Sequence, residues 1–142
     1  MEYEQEFERD FMRRTLELLK QYSGPFDATL LLNCLLGLLI VPRETSLDKI
    51  PLDPVEKLSE WGISPSSIRN FGRASASGTL RGLVRSLRNA VAHFNFRPLH
   101  RDGNVTGFAF SDRSGFDAAI SLPEVKEFVQ RLSSHLEAKL AA

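Results

Sequence analysis

The run from Ala28 to Val41, ATLLLNCLLGLLIV, constrains this chain more than any other feature. At helical spacing it is apolar on nearly every side, so a helix there has to be surrounded by other elements. Asn33 is its one strongly polar residue, and an amide buried there needs a hydrogen-bond partner. Pro42 ends the helix. The stretch is too short to span a bilayer, which predicts a central, most buried helix and no membrane partner. Cys34 lies within it as the chain's only cysteine, which excludes a disulfide framework and any multi-cysteine metal site. Its place in the most apolar helix reads as packing. With 142 residues and 42 % hydrophobic content, the chain reads as one globular domain over 1–142 with a real core. The acidic start Met1-Glu2-Tyr3-Glu4-Gln5-Glu6 has no signal-peptide pattern, and one cysteine suits a reducing compartment, so the expected location is cytoplasmic.

The other elements follow from periodicity and punctuation. Tyr3 to Tyr22 reads as an amphipathic helix with Phe7, Phe11, Leu18 and Tyr22 on one stripe and Thr15 between them. Gly24-Pro25 stops it, and Asp27 caps the buried helix that follows. Asp53-Pro54-Val55-Glu56 predicts a cap and a short helix to Trp61. Arg73 to Gly78 is small and polar and reads as a loop. Val105–Phe110 and Phe116–Ser121 form two short strands of a hairpin around Ser111–Gly115. Ser121-Leu122-Pro123-Glu124 is a capping box, with Ile120 and Val125 as its staple, and the last helix carries Val125, Phe128, Leu132, Leu136 and Leu140. The fold expected from these pieces is all-α: an up-and-down bundle of four to five helices, with a small β-hairpin before the last one.

Net charge is zero, with 18 basic and 18 acidic residues, which excludes a uniformly basic nucleic-acid binder. The charges are nevertheless segregated. No acid occurs between Glu60 and Asp102, and that stretch holds Arg69, Arg73, Arg81, Arg85, Arg88, Arg97 and Arg101, with His93 and His100 and no lysine. Arginine's planar fork matches phosphate, so the pattern points to an anionic ligand. The alternative is internal pairing with the acid-rich N-terminal segment.

Thr79 to His93 concentrates this charge. At about 100° per residue, Leu80, Leu83, Val84, Leu87, Ala90 and Val91 share one face, and Arg81, Arg85, Arg88, Asn89 and His93 share the other. Asn89 and His93 are neighbours at i and i+4, and the long side chain of Arg88 reaches the same place. An imidazole exchanges protons near neutral pH, a guanidinium holds a phosphate and stabilises charge that develops on it, and an amide orients either. These are the parts of an attack on phosphorus without a metal. The alternative is an ordinary helix surface. No His/Asp/Glu cluster has metal-site spacing, and no glycine-rich run resembles a phosphate loop.

Arg88-Asn89-x-x-x-His93 at the end of a bundle helix resembles the motif of the HEPN superfamily: an Arg, a polar residue beside it, and a His four to six residues after the Arg. Leu83 to Phe96, LVRSLRNAVAHFNF, resembles the motif helix of its small stand-alone prokaryotic members. Phe11 to Glu44 is similar to the first two helices of a plasmid-borne branch. The likeness runs from about residue 7 to residue 135 and is weakest over 45–75. It implies a metal-independent endoribonuclease without a cofactor, often homodimeric and found in toxin or antiviral defence systems, with a possible antitoxin or other inhibitor protein. By motif position Arg88, Asn89 and His93 would be catalytic. Arg88 would stabilise the phosphorane, His93 would act as general acid or base, and Asn89 would position one of them.

Arg81, Arg85 and Arg97 are the candidate substrate-binding residues, with Arg101 and His100 further out. The expected substrate is RNA, because the 2′-hydroxyl is the nucleophile. A two-fold axis near the motif would bring two copies of His93 to one cleft, with Phe94 and Phe96 as the apolar contact. Two rival readings remain at this point. One is a module that binds nucleic acid or a nucleotide without cleaving it. The other is an interaction protein whose arginines face a partner's acids.

Overall fold

The computed structural model describes residues 7–25, 27–73 and 78–140, except for the side chain of Glu44. Residues 3–6 of the expected first helix and 74–77 of the expected loop lie outside the described residues. The chain runs α1 (Phe7–Gln21), α2 (Asp27–Ile40), α3 (Glu44–Leu47), two 3₁₀ helices (Val55–Trp61 and Pro65–Ser67), β1 (Ile68–Asn70) and α4 (Leu80–Ala92). It continues through β2 (Phe96–Arg101), β3 (Asn104–Ser111), β4 (Asp117–Ser121) and α5 (Leu122–Leu140).

The strands form one antiparallel sheet in the order β1-β4-β3-β2. The expectation of an all-α bundle with a single hairpin is therefore wrong, and the fold mixes α and β. The expected hairpin exists as β3–β4, but a strand lies on each side of it. On one side, Phe96-Arg97-Pro98-Leu99-His100-Arg101 is polar and contains a proline, so it lacks a strand's apolar alternation. It forms at the sheet edge, where a missing N–H is tolerated. Asp102 and Gly103, at φ 52° and 80°, turn it into β3. Two left-handed residues between Arg101 and Asn104 make the primed turn that suits the strand twist. On the other side, β1 is only three residues long and exists through its pairing with β4.

Alternation along β3 and β4 turns Phe108, Phe110, Ala118 and Ile120 inward. Against them lie Leu83, Leu87 and Ala90 of α4 and Val125, Phe128 and Leu132 of α5, all buried. α1 and α2 pack against α5. The core of α2 is Leu31, Cys34, Leu35, Leu38 and Leu39, but Asn33 and Ile40 are exposed. This helix is therefore one-sided rather than fully enclosed, and the Asn33 amide is left to water. Burial pushes the Cys34 thiol up, as expected for a packing residue.

The face of α1 also differs from expectation. Met12, Thr15 and Leu19 are buried, whereas Phe7, Leu18 and Tyr22 stay exposed. The apolar arc of α1 is wider than the face its neighbours cover. Phe11 sits on Gly37 of α2, where a Cβ would stand 2.5 Å from a ring carbon. Among the described residues no helix is long and apolar enough to cross a membrane.

The short helix expected after Asp53 forms as the first 3₁₀ helix and ends at Trp61. Asp53 does not cap it; its Oδ2 accepts a hydrogen bond from Trp61 Nε1 at 3.0 Å. The Trp61 ring meets His135 of α5 edge-on at 5.3 Å, and His135 Nε2 lies 3.2 Å from the Lys49 carbonyl.

The capping box of α5 forms as expected and extends further. Glu124 Oε1 accepts from Ser121 N and Oγ at 3.1 and 2.9 Å, and Oε2 accepts from Ser64 N and Ser67 Oγ at 2.9 and 2.7 Å. Burial alone would raise this carboxyl, but the hydrogen bonds from Ser67, Ser121 and Ser64 outweigh it and hold the group below its ordinary value. A lowered folded pKa contributes stability above the ordinary carboxylate range, and that stability is lost as pH falls through the folded value. Glu124→Ala should cost about 1–2 kcal/mol at neutral pH, through the lost cap and the stranded serines. In urea unfolding the gap to wild type should narrow as the solution is acidified. An equal gap at both ends of the titration would contradict this.

Candidate functional site

The reactive candidates sit on α4, which forms as the sequence predicts. Thr79 caps it by accepting from Gly82 N, and Leu80, Leu83, Val84, Leu87 and Ala90 bury one face. The opposite face carries the arginines, and the structure divides them.

Arg81 is tied to the loop after α3. Its Nε donates to the Ile50 carbonyl at 2.9 Å, and a terminal nitrogen donates to the Asp48 carbonyl at 2.7 Å. These bonds hold the guanidinium on backbone, away from the end of the helix where His93 stands. Arg85 lies one turn further on. One of its terminal nitrogens is 3.5 Å from Asp48 Oδ1, and its Nε is buried without a hydrogen-bond partner. A buried donor left unpaired costs free energy unless a ligand or water supplies an acceptor. Among the described residues, two acids of the N-terminal segment are engaged elsewhere: Glu8 with Arg43 at 3.1 Å, and Asp10 with Arg13 at 3.1 Å.

Arg85, Arg88 and Asn89 line one cleft of about 300 Å³, with Ile40 of α2 and Ala92 as its apolar walls. His93 does not line it. It is the exposed C-cap residue, directly after Ala92 of the lining.

The way α4 ends fixes what comes next. Phe94 N donates to the Val91 carbonyl at 3.1 Å, and Asn95 N donates to the Ala90 carbonyl at 2.7 Å. This pair of bonds is the Schellman ending, which requires a left-handed residue, usually glycine, after the cap. Here that residue is Phe94 at φ 59°, with 79 % of its surface exposed. A bulky side chain in this region costs about 1–2 kcal/mol.

Beyond it, Arg97 of β2 lines a second cleft of about 300 Å³ together with Phe94, Asn95, Ser111 and Asp117. Arg97 is thus separated from Arg85 and Arg88 by the end of the helix. His100 and Arg101 are exposed further along the edge strand.

Sequence reasoning did not find Ile40, Phe94 or Asp117 as parts of these clefts. The Asp102-Gly103 pair was the available signal for β2, and so for the wall that holds the second cleft. Nothing local marks Asp117, which arrives through strand register.

The family model described as HEPN pEK499 p136 matches residues 1–140. No curated protein and no solved structure matches the chain.

Proposed function

The chain belongs to the HEPN pEK499 p136 family, and on that premise we propose that it is a metal-independent endoribonuclease acting at the α4 cleft. The observation that carries this reading is the convergence of Arg85, Arg88 and Asn89 in one cleft, with the buried, unpartnered Nε of Arg85 among them and His93 next in the chain to Ala92 of the lining.

In the proposed reaction the ribose 2′-oxygen attacks the adjacent phosphorus. The O2′–P bond forms, the P–O5′ bond breaks, and the products are a 2′,3′-cyclic phosphate and a 5′-hydroxyl. One proton leaves the 2′-hydroxyl and one is delivered to O5′. His93 handles one of these transfers. Arg88 stabilises the charge that builds on the phosphoryl oxygens, Asn89 orients the reacting groups, and Arg85 holds the phosphate. DNA lacks the nucleophile and is not a substrate.

Because His93 is not in the lining of the cleft, a second reading stands beside the first: the same cleft binds RNA without cutting it. Purified protein incubated with mixed single-stranded RNA and excess chelator separates the two. Cleavage to cyclic-phosphate ends, with DNA untouched, supports the first reading. A stable complex with intact RNA supports the second. Loss of cleavage on adding chelator overturns the metal-independent mechanism.

Under either reading, binding weakens with salt as counterions are released from the phosphates. Arg85→Ala should reduce the slope of log K against log salt by about 0.7, one phosphate contact on a single strand. An unchanged slope removes Arg85 from the RNA site.

A further inference from the structure

The second cleft, beyond His93, has an unusual set of walls. Phe94 is held in a left-handed conformation that glycine would adopt more readily, and its ring is displayed to solvent. Its neighbour is fixed: the Phe96 ring lies 5.2 Å away, and Phe96 in turn stacks at 6.1 Å on Phe110, which is buried in the core. The exposed ring is therefore the outer end of an aromatic series anchored inside the protein. Strain of this kind persists where the surroundings impose it, and it concentrates at binding sites.

The floor and far wall come from sheet register. Ser111 N donates to the Asn95 carbonyl at 3.0 Å, and Ser111 pairs with Asp117 across β3 and β4. Asn95, Ser111 and Asp117 thus form a polar row across the sheet. Two residues along, on the same face of the sheet, Arg97 pairs with Ala109, whose methyl group leaves room above the strands. The side chains of Asn95, Arg97 and Asp117 make no hydrogen bond or ion pair with one another or with any other described residue. A cation, a carboxylate and an amide therefore share a small cleft with an exposed aromatic face, and all three are available to a ligand.

We propose that this cleft binds an unpaired guanine base of RNA, stacked on Phe94 and read by the Asp117 carboxylate, with Arg97 on the adjoining phosphate. Stacking requires a flat π-face, which every base has, so Phe94 supplies affinity without selection. Selection comes from Asp117. An ionised carboxylate only accepts hydrogen bonds, and its two oxygens lie side by side. Guanine alone presents two adjacent donors, N1–H and N2–H, on one edge. Adenine and cytosine place an acceptor nitrogen beside their amino group, and uracil places carbonyls on both sides of its one N–H. The cleft volume of about 300 Å³ is at the small end of ligand sites and suits a single base. Phe94 follows His93 directly in the chain, so a base held here lies next in sequence to the residue assigned the proton transfer. The base site rests on the reading of α4 as the phosphate-binding helix.

The test is calorimetric titration with guanosine 3′-monophosphate and adenosine 3′-monophosphate, beside mapping of RNA cut sites. Wild-type protein should bind the guanosine nucleotide at least about fivefold more tightly, as one bidentate pair provides. Asp117→Asn should erase that preference. Phe94→Gly should weaken both nucleotides about tenfold through lost stacking, without lowering the thermal midpoint, because glycine suits the helix ending. Equal affinity for the two nucleotides in wild type overturns the proposal. So does unchanged affinity in Phe94→Gly, including the case in which sedimentation shows that this variant splits a dimer, since a second copy would then be what covers the ring. RNA cleavage with no base preference and no nucleotide binding sinks the base site alone. Guanine-selective binding without RNA cleavage upholds it and removes the ribonuclease reading.

Discussion

Replacing His93 by alanine should lower RNA cleavage by about 10²–10⁴-fold, the usual effect of deleting a proton-transfer group, and leave the fold intact. The side chain is exposed, and what His93 gives the helix ending is its backbone N–H, bonded to the Asn89 carbonyl at 3.1 Å in any variant. Arg88→Ala should cost about 10²–10³-fold, comparable to removing one donor from an oxyanion site. The two variants should differ in binding. His93→Ala keeps its hold on RNA in a mobility-shift assay, whereas Arg88→Ala loosens it. The double variant should fall short of the product of the single losses, because both groups serve one transition state. Wild-type cleavage by His93→Ala would remove the histidine from the mechanism.

The largest effect on stability is expected at Phe110. It is 1 % exposed, lies on the inner face of β3, and carries Phe96 on its ring. Phe110→Ala removes the buried ring and leaves a cavity, together worth about 3–5 kcal/mol. Against a total of about 5–15 kcal/mol, that is enough to unfold a marginal domain. The same change loosens Phe96 and, through it, the wall at Phe94. Leu52, 55 % exposed, is the control: Leu52→Ala should stay within about 0.5 kcal/mol. Urea midpoints at constant slope measure both. A loss below about 1 kcal/mol at Phe110 would mean that the sheet's inner face is not the tight core described.

The parts of this molecule that were legible in sequence are those with long, local patterns. α4 shows its two faces and its arginines over thirteen residues, so the grouping of Arg85, Arg88 and Asn89 could be read directly. The Ser121–Glu124 box is local in the same way. What escaped depends on contacts distant in the chain. β1 is too short to have a period of its own, and β2 hides behind Pro98 and its charges. Arg81 looked like its neighbours one and two turns on, yet the carbonyls of Asp48 and Ile50 hold it, and no spacing rule announces that contact. α1 showed a wider apolar arc than its neighbours cover, and only tertiary packing decided that Met12 and Leu19, not Phe7 and Leu18, would face inward. The second cleft required the register of β2, β3 and β4 before Asn95, Ser111 and Asp117 could meet.

Trp61 is the only tryptophan in the chain. Its indole is bonded to Asp53 and set edge-on to His135, so it joins the first 3₁₀ helix to α5. It lines neither the α4 cleft nor the one beside Phe94. The protein therefore carries a single indole, selected from its two tyrosines by excitation at the red edge of the absorption band, whose emission follows the docking of that helix and not the occupancy of either cleft. Its signal gives the unfolding of every variant without a label, with or without RNA bound. A chromophore lining either cleft would have mixed the two readings.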